Sequence, residues 1–101
     1  MNITASEIEA RFVQHPDQDI FELADELFES EARSVADALS LIRMSRLFFE
    51  AANKLRKSKP KRSKNRYRIG EAFLSRAQAT LESVEHANVE ARIAKKNGVV
   101  I

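Results

Sequence analysis

The chain has 101 residues, with 2 Gly, 2 Pro, no Cys and a net charge of +2. That length gives room for one domain with a modest core. The lack of Cys excludes a disulfide framework and a thiolate metal site, and no apolar run approaches the roughly 18–20 residues that span a bilayer.

Thr4-Ala5-Ser6-Glu7 reads as a capping box, in which a hydroxyl and a carboxylate satisfy each other's backbone N–H groups. A short helix follows, with Ile8, Phe12 and Ile3 as its apolar contacts, and His15-Pro16 ends it because the residue before a proline is pushed out of the α region. Asp17 is the next cap candidate, with Asp19 and Glu22 in the first turn, where acids suit the positive end of the helix dipole. Ile20, Leu23, Ala24, Leu27 and Phe28 keep the i, i+3, i+4, i+7, i+8 rule, so this second helix runs to about Glu29.

Ser34-Val35-Ala36-Asp37 is another cap signal and predicts a break near residues 30–34. A single helix over 18–58 is the alternative, since no Gly or Pro enforces the break. The third helix carries two apolar stripes. One holds Val35, Ala38, Leu39, Ile42, Phe49 and Ala52; the other holds Leu41, Met44, Phe48 and Leu55. Two stripes on one helix mean burial on more than one side. The first is assigned to the core and the second to a protein interface, so a homodimer is expected.

Lys57–Lys64 breaks the pattern and predicts a basic loop, about 56–66. Ser63 or Asn65 then caps a last helix that runs to about Asn97. Its seam is Ile69, Phe73, Ala77, Thr80, Val84, Ala87 and Ala91, with Leu74 and Leu81 beside it. The predicted core is Leu39, Ile42, Phe49, Phe73, Leu81 and Val84. Asn97-Gly98 is a C-cap signal, and Val99-Val100-Ile101 is a short apolar tail over 98–101. The expected fold is therefore all-α, a single helical domain over 1–101. It is a small helical bundle built on a long antiparallel hairpin with one or two shorter N-terminal helices.

Charge is divided unevenly. Residues 1–53 hold eleven acids and four bases, a balance of −7, and residues 54–101 hold four acids and thirteen bases, a balance of +9. Lys54, Arg56, Lys57, Lys59, Lys61, Arg62, Lys64, Arg66 and Arg68 fall within fifteen positions with no acid among them. Clustered Lys and Arg suit phosphates, each contact releasing counterions, and Tyr67 within the cluster can stack on a base. With the charges in a loop, such contact is to the nucleic-acid backbone and not to base sequence. Two other readings stand beside it: docking on an acidic protein surface, and a solvated loop or one neutralised by the acidic half. Ser58 and Ser63 lie between bases, where a phosphate would cut the local field.

Catalytic signals are missing. There is no Cys nucleophile, no Ser in a Gly-bounded elbow and no Gly-rich phosphate loop. Glu82, His86 and Glu90 share a helix face at metal-ligand spacing, and a solvated charged face is the reading preferred for them. His15 is read as a turn residue, and the acids Asp25 and Glu26 as solvated. The expectation is a protein that is no enzyme, with no cofactor and no metal. Met1-Asn2-Ile3-Thr4 lacks the basic and apolar regions of a secretion signal, so a cytoplasmic location is expected.

Asp37-Ala38-Leu39-Ser40-Leu41-Ile42, Phe48-Phe49 and Phe73-Leu74-Ser75-Arg76-Ala77 give residues 36–81 a resemblance to the last two helices of MIT domains. These are three-helix modules that bind tail helices of membrane-remodelling proteins. The resemblance covers under half the chain and carries over no binding residue. It implies a peptide-binding helical module as an alternative. The functional expectation is a small regulatory or accessory protein contacting nucleic-acid backbone through its basic loop. The alternative is a helical interaction module: an adaptor, chaperone or inhibitor, or an MIT-like peptide binder. Its acidic face of Asp19, Glu22, Asp25, Glu26 and Glu29 can imitate nucleic acid.

Overall fold

A computed structural model describes residues 3–96. The Asn97-Gly98 cap and the 98–101 tail lie outside the described residues. Four helices are described: α1 Ala5–Gln14, α2 Ile20–Glu29, α3 Val35–Leu55 and α4 Pro60–Lys96. The fold is the expected all-α bundle on a long hairpin. No described helix is long and apolar enough to cross a membrane.

Local chemistry fixes most of the helix starts. Thr4 Oγ1 accepts the Glu7 N–H while the Glu7 carboxylate accepts the Thr4 N–H, so the capping box forms as read. Ser34 caps α3 by accepting the Asp37 N–H at 3.1 Å, and α2 and α3 are separate helices. At α2 the cap is Asp19, not Asp17: Asp19 Oδ1 accepts the Phe21 N–H at 2.7 Å. The chain needs residues 15–18 to turn after Pro16, which moves the helix start two residues on.

The α4 start departs further from expectation. The helix begins at Pro60, not at residue 63 or 65, and only a short turn separates it from α3. Proline's fixed φ and missing N–H suit a first helical position, and the Lys59 carbonyl accepts the Ser63 N–H at 3.0 Å. The charges that suggested a loop from 56 to 66 are borne instead mostly on helix. Ser63 does not cap; its hydroxyl donates to the Ala52 carbonyl at 2.6 Å and staples α4 to α3.

The hairpin of α3 and α4 is one layer, and α1 and α2 cover one of its sides. The core cluster includes Ile8, Leu23, Leu27, Leu41, Met44, Phe48, Phe73 and Ala77. Phe73 is its hub, with ring centroids 5.4 Å from Phe48 and 4.7 Å from Phe28, both within the range of favourable aromatic pairs. Phe73 was expected in the core, and it is. Leu39 and Leu81 were too, yet they are 45% and 37% exposed, while Ile42, Phe49 and Val84 are only half-buried. The stripe assigned to an interface between copies is the buried one. Leu41, Met44 and Phe48 are 0%, 4% and 0% exposed, and Leu55 is half-buried. These residues face the layer that α1 and α2 supply, so they are not a surface open to a second copy.

Polar contacts decide which stripe is covered. Asp37, at the start of α3, accepts the Ser6 N–H at 3.1 Å and the Ser6 hydroxyl at 2.8 Å through Oδ1. Its Oδ2 accepts the Arg33 N–H at 3.1 Å. A turn later Glu9 takes both Nε and Nη2 of Arg43 at 2.6 Å and the Ser40 hydroxyl at 2.9 Å. These bonds dock α1 on the Leu41 side of α3.

With 37 residues α4 is roughly 55 Å long, against roughly 31 Å for the 21 residues of α3. Beyond Val84 it therefore has no helix opposite it, and every residue from Glu85 to Ala94 is exposed. Ala87 and Ala91, expected in the seam, lie on this projecting part.

Candidate nucleic-acid interface

The tip of the α3–α4 hairpin gathers the basic cluster on two helix ends and one turn. Lys54 is in the last turn of α3. Arg56, Lys57 and Lys59 are in the connection, and Lys61, Arg62, Lys64, Arg66 and Arg68 lie on α4. All are exposed except Arg66. Among the described residues no ion pair joins any of the nine to an acid. The ion pairs among the described residues lie elsewhere: Arg11–Glu26, Arg33–Glu31, Arg43–Glu9 and His86–Glu90. The acids of residues 1–53 thus form no ion pair with this cluster.

The local electrostatics are uncompensated. The N-terminus of a helix carries a partial positive charge that favours acids nearby, but the first turn of α4 contains no acid and does contain Lys61 and Arg62. Lys61, Lys64 and Arg68 follow an i, i+3, i+7 spacing and share one solvent face of α4. Arg62 and Arg66 sit on another face. Arg66 turns inward, its guanidinium 5.1 Å from the centre of the Phe21 ring. Its Nη1 is buried with no hydrogen-bond partner. Of the nine, Arg66 is therefore the one held against the bundle and not presented at the tip.

Tyr67 is 53% exposed, with its ring 5.1 Å from that of Phe49 and tilted by 51°. Phe49 sits tightly because Gly70 has no side chain there. On this side, away from α1 and α2, the two helices leave a groove of about 640 Å³. Phe49, Ala52, Pro60 and Tyr67 give it apolar walls, and Arg56, Lys61, Lys64 and Asn53 surround them. The sequence offered no direct signal for this groove, because its walls come from two helices whose register only the fold sets. The Pro60 first-turn signal was the one clue that would have closed the supposed loop.

Comparison with protein-family models, with curated proteins and with solved structures finds no match. The likeness of residues 36–81 to MIT domains gains no support from it.

The other candidates are dispersed. Glu82, His86 and Glu90 lie on the projecting part of α4, where His86 Nε2 meets Glu90 Oε1 at 3.0 Å and Gln78 donates to Glu82 at 3.2 Å. Among the described residues no three His, Asp or Glu side chains are gathered to hold a metal. Ser58 is exposed, whereas the Ser63 hydroxyl is engaged with Ala52. On the acidic face, Asp19 is used as a cap and Glu26 pairs with Arg11 and accepts from Gln18. Glu22, Asp25 and Glu29 are exposed.

Proposed function

We propose that this chain is a small, non-catalytic regulatory or accessory protein of the cytoplasm that contacts nucleic-acid backbone through the tip of its α3–α4 hairpin. One observation carries the reading: a dense set of cations at the positive end of a helix, with no acid among the described residues ion-paired to it. Folding holds these like charges together, and phosphates are the abundant polyanion that relieves their repulsion. The contact is to backbone, so it is weakly dependent on sequence.

The test is a titration against duplex and single-stranded DNA and RNA at two salt concentrations. Contact with four phosphates of duplex DNA corresponds to a log–log salt slope of about −3.6, or about a 150-fold loss between 50 and 200 mM salt. Absence of binding at low salt would remove the reading. It would leave the interaction module, which the exposed acids Glu22, Asp25 and Glu29 on α2 support.

The homodimer belongs to this proposal too, on a different face from the one the sequence suggested. Val35, Leu39, Leu74 and Leu81 are 47%, 45%, 39% and 37% exposed. They lie on the side of the hairpin that α1 and α2 leave open. The antiparallel register set by Phe48 with Phe73 and by Phe49 with Gly70 brings Leu39 level with Leu81.

A further inference from the structure

The groove at the hairpin tip joins two kinds of surface that backbone binding alone does not require. A patch that only tracks phosphates needs cations and no apolar cavity among them. Here the cations Arg56, Lys61 and Lys64 border a concave apolar space of about 640 Å³, walled by Phe49, Pro60 and Tyr67. That volume falls within the roughly 300–1,000 Å³ of small-ligand sites. A flat, apolar-faced group carrying an anion close by fits such a place. Nucleotides of a single strand have that form, because their bases are free to leave the stack. In a duplex the bases are paired and stacked, and only phosphates reach the cations.

We propose that the groove takes an unstacked base of a single strand, laid on Tyr67 beside Phe49, with its neighbouring phosphates on Arg56, Lys61 and Lys64. This rests on the nucleic-acid reading above and makes the tip selective for single strands over duplex. The base is gripped by its faces, so stacking tolerates any base. Asn53, at the edge of the groove, is the side chain placed to hydrogen-bond a base edge.

The chain provides its own probe. Tyr67 is its single Tyr and there is no Trp, so intrinsic tyrosine fluorescence reports this groove alone. The experiment compares a thymidine dodecamer, an abasic dodecamer with the same phosphates, and a dodecamer duplex. Each is titrated by anisotropy and by tyrosine fluorescence at one salt concentration. The expected result is that the thymidine strand binds at least about tenfold tighter than the abasic one and quenches Tyr67, which the abasic strand does not. Tyr67→Ala should weaken thymidine binding by about 5- to 150-fold, the range for loss of one stacked base. Abasic binding should be unchanged and Tyr67→Phe should bind like the natural chain. Lys61→Gln with Lys64→Gln should weaken both strands alike. Circular dichroism checks that each variant keeps its helices. Equal affinity for thymidine and abasic strands would overturn the base site and leave backbone binding standing. Failure of all three oligonucleotides at low salt would overturn both. Binding to phosphatidylserine vesicles with no binding to any oligonucleotide would assign the groove to lipid headgroups and overturn both as well.

Discussion

Gly70 on α4 lies directly against the ring of Phe49 on α3, so closely that a Cβ on Gly70 would fall 2.7 Å from Phe49 Cε1 and 2.9 Å from Cδ1. No carbon pair rests at that distance without moving. The glycine is therefore a packing choice and does not serve a special backbone angle. It lets the two helices close around Phe49 and so shapes the wall of the groove.

Gly70→Ala sets two effects against each other. Alanine gains about 1 kcal/mol in helix propensity at an interior position. Pushing the Phe49 ring aside costs about 1–3 kcal/mol as overpacking, and the Tyr67 ring, 5.1 Å away, also packs against it. The net expectation is a loss of up to about 2 kcal/mol in urea unfolding, with a changed Tyr67 fluorescence in the folded state. A variant more stable than the natural chain would show that Phe49 is free to move and that the groove has no fixed wall.

Asp37 ties the starts of α1 and α3 together. Burial disfavours its charge, but hydrogen bonds from the Ser6 hydroxyl, the Arg33 and Ser6 N–H groups and the Ser34 hydroxyl outweigh it, so its pKa is lowered from the usual aspartate value. A lowered folded-state pKa contributes stability that is present above the unfolded value of about 3.9 and is lost as pH falls through the folded one. Glu9 acts in the same sense, held down chiefly by hydrogen bonding to Arg43. Asp37→Asn places an NH2 group where an acceptor is needed and should cost about 1–3 kcal/mol at pH 7. Denaturant midpoints measured across the acid range should show the gap between variant and natural chain closing below about pH 4. A gap that stays constant would mean that the carboxylate's charge plays no part.

How much of this was legible depends on the range of the interaction. The caps at Thr4 and Ser34 were readable because each is a bond between residues three apart in sequence. The two stripes of α3 were also readable, and Ala38 and Ala52 of the stripe assigned to the core are buried. But the large residues Leu41, Met44 and Phe48 of the stripe assigned to an interface fill the core, while Leu39 is exposed. Periodicity tells which residues share a face. It does not tell which face receives α1, a choice made by Asp37, Ser6, Glu9 and Arg43 across about thirty residues of chain. The α4 start was missed for a different reason. Charges interrupt an apolar pattern without interrupting a helix, and Pro60, inside the segment read as a loop, sits at a first helical position, where proline is favoured.

Arg76 closes the end of α2 from another helix. Its guanidinium donates to the carbonyls of Leu27 and Ser30; the Leu27 carbonyl also accepts the Ser30 N–H and hydroxyl, while the Ser30 carbonyl lies just past the last turn of α2. Its Nη1 also reaches Ser30 Oγ at 3.3 Å. Removing it takes that donor from the Ser30 carbonyl, at about 1–3 kcal/mol for an unsatisfied group. Arg76→Ala should speed hydrogen exchange in α2 more than in the α3–α4 hairpin. Arg76→Lys should restore only part of the protection, since an ammonium lacks the planar fork. Uniform acceleration in all four helices would show that Arg76 supports the whole core and not the end of α2.

The open side of the hairpin gives a test of assembly. If Val35, Leu39, Leu74 and Leu81 meet their counterparts in a second copy, sedimentation should give a dimer at high concentration. Leu39→Lys with Leu81→Lys should convert it to a folded monomer, because both side chains are more than a third exposed in the single chain. A monomer for the natural chain at millimolar concentration would rule the dimer out.

The basic tip should show opposite effects on stability and on binding. Lys61 and Arg62 in the first turn of α4, and Lys64 in the next, oppose the dipole at its positive end, and no acid there offsets them. Replacing all three by Gln keeps helix propensity nearly constant while removing the repulsion. The triple variant should therefore melt a few degrees higher at low salt, with the difference shrinking as salt screens the charges. Its affinity for nucleic acid should fall across all sequences alike. Its salt slope on duplex DNA should become shallower by about 0.9 for each phosphate that the variant no longer neutralises. A variant that melts lower would mean the cations hold the fold together. A variant that binds as before would mean they are solvated and touch no phosphate. Higher stability with weaker binding is the pattern expected when a cluster of like charges is kept for a partner at the expense of the fold.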